Sequence, residues 1–415
     1  MAGCRMQMTD QRGWEAQVTD NGAWSKARLD RMQDVLTDHV ERGAVPGVVT
    51  LVSRRGETHV DAIGTKVISG RDAIRRDSIF HIASMTKPIA AATTMILVEE
   101  CALRLDDPVD ELLPELANRQ VLRTIDAELD DTVPARRSIT VRDLLTLRMG
   151  FGFVFAPSPL PIERAASELE VMPGPPNPQR LPSPDEWLRR LGTLPLMRQP
   201  GERWMYPTGF SVLGVLLARA AGQPLEQFLR ERIFDPLGMK DTGFSVPASK
   251  RDRLAGSYAL NAETGALDVY DDAGASQWHD PPAFPDAEGG LVSTVDDYVA
   301  FGQMMLNKGQ YGNERILSRA SVELMTTGQI TPEQRVGAEF FLETNRDWGF
   351  GVSIITQRDD VASAPGRFGW DGGFGTSWYA DPREDLTAIL MTQVLGFPSR
   401  IDRDFWTLLY GALAG

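Results

Sequence analysis

A chain of 415 residues, 42% hydrophobic and 24% charged, has enough apolar material for a large core and reads as two closely packed domains. Its net charge of -14 sets up a field that repels phosphate, which argues against nucleic acid or an anionic membrane surface as partner. Cys4 and Cys101 are too few for a disulfide framework, and His39, His59, His81 and His279 lie without HExxH spacing, so no metal site or zinc hydrolase is expected.

In chain order, the N-terminal MAGCRMQMTDQRGW lacks the apolar run of about 7–15 residues of a secretory signal. No later stretch approaches the ~20 apolar residues of a membrane span, so a soluble, cytoplasmic protein is expected. Residues 25–42 place Leu29, Met32, Val35, Leu36 and Val40 at helical spacing behind Ser25 as a cap. Two β-rich runs about Arg54-Arg55-Gly56 predict a hairpin over 47–65. The pattern is helical again from 84 to about 104. From 105 to 285, helical pieces such as VRDLLTL (141–147) and FSVLGVLLARAAG (210–222, closed by Gly222) alternate with proline-rich connections. The proline-dense segment 156–184 is either a disordered surface loop or the wall of a pocket. Strand patterns return in WGFGVSII (348–355), RFGWDGGFGTSWYAD (367–381) and DLTAILMTQV (385–394), before a helix around 400–413.

β-rich ends thus bracket a helical middle. The arrangement predicts an α/β (α+β) fold in which both chain ends share an antiparallel sheet flanked by helices: residues 14–104 and 286–415 form the sheet domain, and 105–285 a mainly helical insertion.

HIASMTKP, residues 81–88, holds the chain's one SxxK, Ser84 and Lys87, which share a face if residue 84 is helical. Pro88 is tolerated only around a first turn and so sets the helix start near Ser84, where free N–H groups and the helix dipole favour a developing oxyanion. A serine nucleophile still needs a base, and lysine serves if its surroundings disfavour the ammonium; arginine could not. A capping serine and a solvated lysine would look the same, so this pair does not decide the matter alone. In PGERWMYPTGF (200–210), Tyr206 sits in a turn ahead of an apolar helix, where half-buried packing is the plainer reading. In GWDGGFGTSW (369–378), the density of glycine marks either a tight bend at a sheet edge or a backbone that a ligand approaches.

Together, in this order, the three stretches resemble the serine β-lactamase and penicillin-binding-protein superfamily. Ser84 and Lys87 match its first motif, Tyr206 the tyrosine of its second, and Trp370-Asp371-Gly372 stands in the place of its third. Residues 200–244, with FHIASMTKPIAAATTMILVEE and GGLVSTVDDYVAFGQMMLNKG, look like the class C β-lactamases and their esterase relatives; the resemblance covers most of residues 30–395. Penicillin-recognising members usually carry YxN and KTG, where this chain has Tyr206-Pro207-Thr208 and Trp370-Asp371-Gly372. The missing lysine and asparagine remove a cation for a substrate carboxylate and an amide for an acylamide, and the WxG form is similar to that of the family VIII carboxylesterases. The resemblance therefore implies a serine esterase acting on small neutral esters without a cofactor. Ser84 would be its nucleophile, Lys87 and Tyr206 base and proton relay, and the N–H groups of Ser84 and Gly373 an oxyanion hole. Trp370, Asp371 and Gly372 would contact substrate. A β-lactamase, a D-amino-acid peptidase and an acyltransferase of the same superfamily are the alternatives, with a non-catalytic binding protein behind them. An α/β hydrolase is disfavoured because the chain has no GxSxG, and His279 has no such motif to serve.

Overall fold

The structure, a computed structural model, describes residues 22–155, 159–396 and 399–414; the N-terminal segment read above for a signal, with Cys4, lies outside them. Helix α1, Lys26–Glu41, buries Leu29, Met32, Leu36 and His39, while Val35 and Val40 are half-buried at the edge of the stripe. Ser25 occupies the N-cap position, but its side chain makes no capping bond. Its backbone N–H instead donates to Ala412 O at 2.9 Å, tying the start of α1 to the end of the chain.

Strands β1, Gly47–Arg54, and β2, Glu57–Gly64, form the expected hairpin, paired from Gly47 opposite Gly64 to Arg54 opposite Glu57. Both residues of its loop, Arg55 (φ 50°) and Gly56 (φ 82°), take the positive φ that two-residue hairpin turns with the right twist require. Helix α2 runs over Thr86–Glu99 and starts later than Ser84, because Ala83–Met85 form a separate 3-10 turn. It also ends short of residue 104: Cys101 turns to φ 59°, and the N–H groups of Ala102 and Leu103 both bond back to Leu97 O.

The segment 156–184 is not one irregular loop. Pro161–Glu168 is helical, with proline in the first turn, Glu163 Oε2 accepting the Leu160 N–H at 2.8 Å, and Ile162 and Ala166 buried. Helix α3, Gly209–Ala221, is apolar on almost every side and buried from Gly209 to Leu217, and Gly222 at φ 64° closes it as a left-handed cap. Helix α4 spans Val295–Leu306 behind Thr294, whose hydroxyl accepts the Asp297 N–H.

The last strands are β3, Arg346–Trp348; β4, Ser353–Ile355; β5, Phe368–Gly372; β6, Thr376–Asp381; and β7, Leu386–Met391; helix α5 follows over Arg400–Ala412. The stretch 348–355 is therefore two strands and a turn. Gly351, at φ 72°, makes that turn where a Cβ would lie 2.7 Å from Lys87 O, so the turn packs directly on α2. The seven strands pair antiparallel in the order β3-β4-β5-β6-β7-β1-β2, with Val49 opposite Met391 joining the two ends of the chain. Alternation divides β1 and β7 between two cores. Val48, Val52, Ala388 and Leu390 face α1 and α5, while Val49, Leu51, Ile389 and Met391 face the larger core containing α2, α3 and α4. A sheet covered on both faces explains why β1 is buried along its whole length.

Candidate active site

The turn Ala83–Met85 carries Ser84 and is held from several sides. Tyr298 Oη of α4 donates to Met85 O at 2.7 Å, and Thr86 Oγ1 donates to Ala83 O at 2.7 Å. Ala83 itself has φ 42°, a costly conformation for a residue with a Cβ, maintained only because its surroundings over-determine it. Ser84 is half-buried, and Lys87 is fully buried in the first turn of α2.

Lys87 Nζ lies 2.9 Å from Ser84 Oγ and donates to Glu288 O at 2.7 Å. It also stands 4.5 Å from the centre of the Tyr206 ring. Tyr206 Oη donates to Ser84 Oγ at 2.5 Å and accepts from Trp370 Nε1 at 3.2 Å. Ser84, Lys87 and Tyr206 therefore meet in one hydrogen-bonded cluster through which a proton can pass.

Tyr206 is placed by backbone and by aromatic packing. The neighbouring Met205 N–H donates to Leu147 O at 2.7 Å, and Tyr206 O accepts the Phe153 N–H at 2.6 Å. Rings of Phe341, Trp204 and Phe153 stand 4.5, 5.6 and 6.4 Å from its own. Trp370 in turn packs edge-on against Trp348 at 4.7 Å.

The third stretch divides between functions. Trp370 is buried on the Ser84 side of β5, where it touches Tyr206 and leaves little of itself for a substrate. Asp371, next along the strand, points through to the opposite face, where its Oδ2 accepts from Tyr379 Oη at 2.6 Å. It does not join the cluster, which corrects its reading as a substrate contact. Burial, and then the charge of Asp402, raise its pKa to about 7. Gly372 makes a close approach: a Cβ there would sit 2.2 Å from Ile82 O, so only glycine lets the end of β5 lie against the turn that carries Ser84. Gly373 begins the β5–β6 turn, half-buried, with nothing within 4 Å of where a Cβ would be.

Three residues not singled out in the sequence complete the surroundings. Ser211 Oγ of α3 donates to Glu288 Oε2 at 3.0 Å, and Glu288 N–H donates to Asp286 Oδ1 at 2.9 Å. The only sequence signal for them is a pair of acids two apart ahead of Gly289-Gly290. Burial and the neighbouring Asp286 raise the Glu288 carboxyl to about 7, against the pull of Lys87; burial raises Asp286 as well. Thr208, Ser211, Asp286, Glu288 and Gly289 line a cavity of about 490 Å³, closed on its other side by residues 170–181. The proline-dense segment is thus a pocket wall.

The fold and this cluster define the class of protein. The β-lactamase family model matches residues 32–412, and the chain belongs to that family, as a serine hydrolase. Among curated relatives, an uncharacterized protein of Mycobacterium tuberculosis (strain CDC 1551 / Oshkosh) is 39% identical over 377 residues, 88% of this chain and 90% of its own. Esterase EstB of Burkholderia gladioli is 29% identical over 388 residues, again covering 88% and 90%. The solved structure of EstCE1, a hydrolase with promiscuous acyltransferase activity, superimposes with a TM-score of 0.76 at 23% identity, over 93% of this chain and 99% of the other. No helix among the described residues is long and apolar enough to cross a membrane.

Proposed function

We propose that the protein is a carboxylesterase that cleaves small, neutral carboxylic esters through an acyl-enzyme on Ser84. The observation that carries this reading is the convergence of Lys87 Nζ and Tyr206 Oη on Ser84 Oγ, at 2.9 and 2.5 Å. Ser84 Oγ attacks the ester carbonyl carbon while its proton passes to Lys87, with Tyr206 as relay. The oxyanion accepts from the N–H groups of Ser84 and Gly373, a contribution on the order of 3 kcal/mol per donor. Collapse breaks the bond to the alkoxide, which takes a proton from Tyr206; water then attacks the acyl carbon, gives a proton back to the cluster, and releases acid and Ser84. Lys87 Nζ and Tyr206 Oη both reach Ser84 Oγ, so the proton is assigned to the cluster and not to either residue.

The burial of Trp370 and the outward turn of Asp371 leave the third stretch without a cation for a substrate carboxylate, which favours neutral esters over β-lactams or peptide termini. Residues 105–285 are read as a mainly helical unit whose loops line the pocket. A second reading, acyl transfer to an alcohol, is favoured by the promiscuous acyltransferase activity of EstCE1 and by simvastatin synthase from Aspergillus terreus, a structure alike at TM-score 0.75.

The test is intact-protein and peptide mass after treatment with a fluorophosphonate, alongside turnover of nitrophenyl esters, amides and β-lactams with and without added alcohols. The expected result is a single adduct on Ser84, absent from Ser84→Ala, with esters turned over fastest. An unlabelled Ser84, or an adduct that survives Ser84→Ala, overturns the assignment. Lys87→Ala should lower ester turnover by about 10²–10⁴-fold with the fold intact.

A further inference from the structure

Lys87 is enclosed by groups from several elements. Ser84 faces it from its own chain segment, Tyr206 from the segment before α3, and the backbone of Glu288 from the stretch between α3 and α4; the uncharged Phe210 ring lies 5.9 Å away. The Glu288 carboxylate accepts from Ser211 of α3, and the Glu288 backbone N–H donates to the Asp286 side chain. Lys87 is the one cation that acts on either of these acids among the described residues. Two half-buried carboxylates on the cavity wall and one fully buried amine therefore lie together. With the amine charged and both acids ionised the group carries a net negative charge, and each acid feels the amine.

We propose that Glu288 and Asp286 are positioning residues for Lys87, and that their shared negative charge sets the protonation state in which Lys87 meets Ser84. The inference rests on the reading of Lys87 as the base of a Ser84 acyl transfer. As the bond from Ser84 Oγ to the carbonyl carbon forms, the serine O–H breaks and its proton goes to Lys87 Nζ; the ammonium thus created stays bonded to Glu288 O, and the charge of the two acids stabilises it through space. The raised Glu288 carboxyl places the change of charge in the neutral range. Neutralising either acid leaves the ammonium less stabilised. Lys87 then releases its proton at lower pH and, once neutral, is a weaker acceptor.

The experiment measures the rate of Ser84 phosphonylation by a fluorophosphonate from pH 5 to 9, which reads the base without the deacylation step. Wild type, Glu288→Gln, Asp286→Asn and the charge-conserving Glu288→Asp are compared, with circular dichroism to confirm the fold. Glu288→Gln and Asp286→Asn should move the acid limb down by about one pH unit and lower the plateau rate severalfold, while Glu288→Asp keeps the wild-type limb. A purely structural role would lower the plateau without moving the limb. An acid limb unmoved in the folded neutralising variants, with the adduct still on Ser84, overturns this proposal and leaves the esterase reading standing. Asp286→Asn decides the matter if Glu288→Gln fails to fold. No adduct on Ser84 in the wild type overturns both.

Discussion

Trp370 illustrates how one side chain changes the character of this site. Its indole donates to Tyr206 Oη at 3.2 Å, so the residue standing where penicillin-recognising relatives carry a lysine supports Tyr206 from behind. Trp370→Phe keeps an aromatic ring against Trp348 and removes that donor. A neutral hydrogen bond contributes about 0.5–1.5 kcal/mol, so kcat/KM for nitrophenyl esters should fall about three- to tenfold, with Tm nearly unchanged. A variant as fast as wild type would show that Tyr206 is oriented by its aromatic neighbours alone. The resemblance implies three substrate contacts in Trp370-Asp371-Gly372, and the period of two along β5 separates them: Trp370 faces Tyr206, and Asp371 faces Tyr379. That division was open to inspection in the sequence once the stretch was taken as a strand.

Between elements, the decisive contact is that of β5 with the turn carrying Ser84. At Gly372 an added methyl would meet Ile82 O at 2.2 Å, and neither backbone can yield easily, since Thr376 Oγ1 also bonds Ile82 O at 3.3 Å. Gly372→Ala should therefore cost about 1–3 kcal/mol of stability and slow phosphonylation of Ser84 well beyond that loss, as the strand withdraws from the turn. Thermal denaturation and labelling rate on the same preparation check both; an unchanged labelling rate would mean that the strand end does not help to place the nucleophile.

Elements with strong local signals were legible: the apolar stripe of α1, the Arg55-Gly56 hairpin, and α3 with its Gly222 cap each declare themselves within a few residues. The split of 348–355 was not, because the glycine at 351 is required by contact with Lys87 O, remote in sequence. Asp286 and Glu288 escaped for the same reason. Two acids in an irregular segment have no period, and only packing against Lys87 and Ser211 gives them a role.

Across the whole molecule, acids held away from water make stability depend on pH. Burial raises Asp297 to about 6, and Asp371 and Glu288 each to about 7, so from roughly pH 4 to 7 the folded state holds protons that the unfolded chain has released. Their contribution is fully present below the unfolded carboxylate range and is lost as pH rises through the folded values. The net charge of -14 adds self-repulsion in the same direction. Paired surface acids act oppositely. Arg75, Arg142 and Arg219 hold Asp77, Asp106 and Glu115 below their usual range, and that stabilisation disappears as pH falls through those lowered values. The two slopes place maximal stability near pH 5. Scanning calorimetry should therefore give a higher Tm at about pH 5.5 than at about pH 8, and Asp371→Asn, which retains an acceptor for Tyr379 Oη, should narrow the difference. A Tm that rises from pH 5.5 to 8 would mean that these acids are ionised in the fold at little cost, and an undiminished difference in Asp371→Asn would clear Asp371 of any part in it.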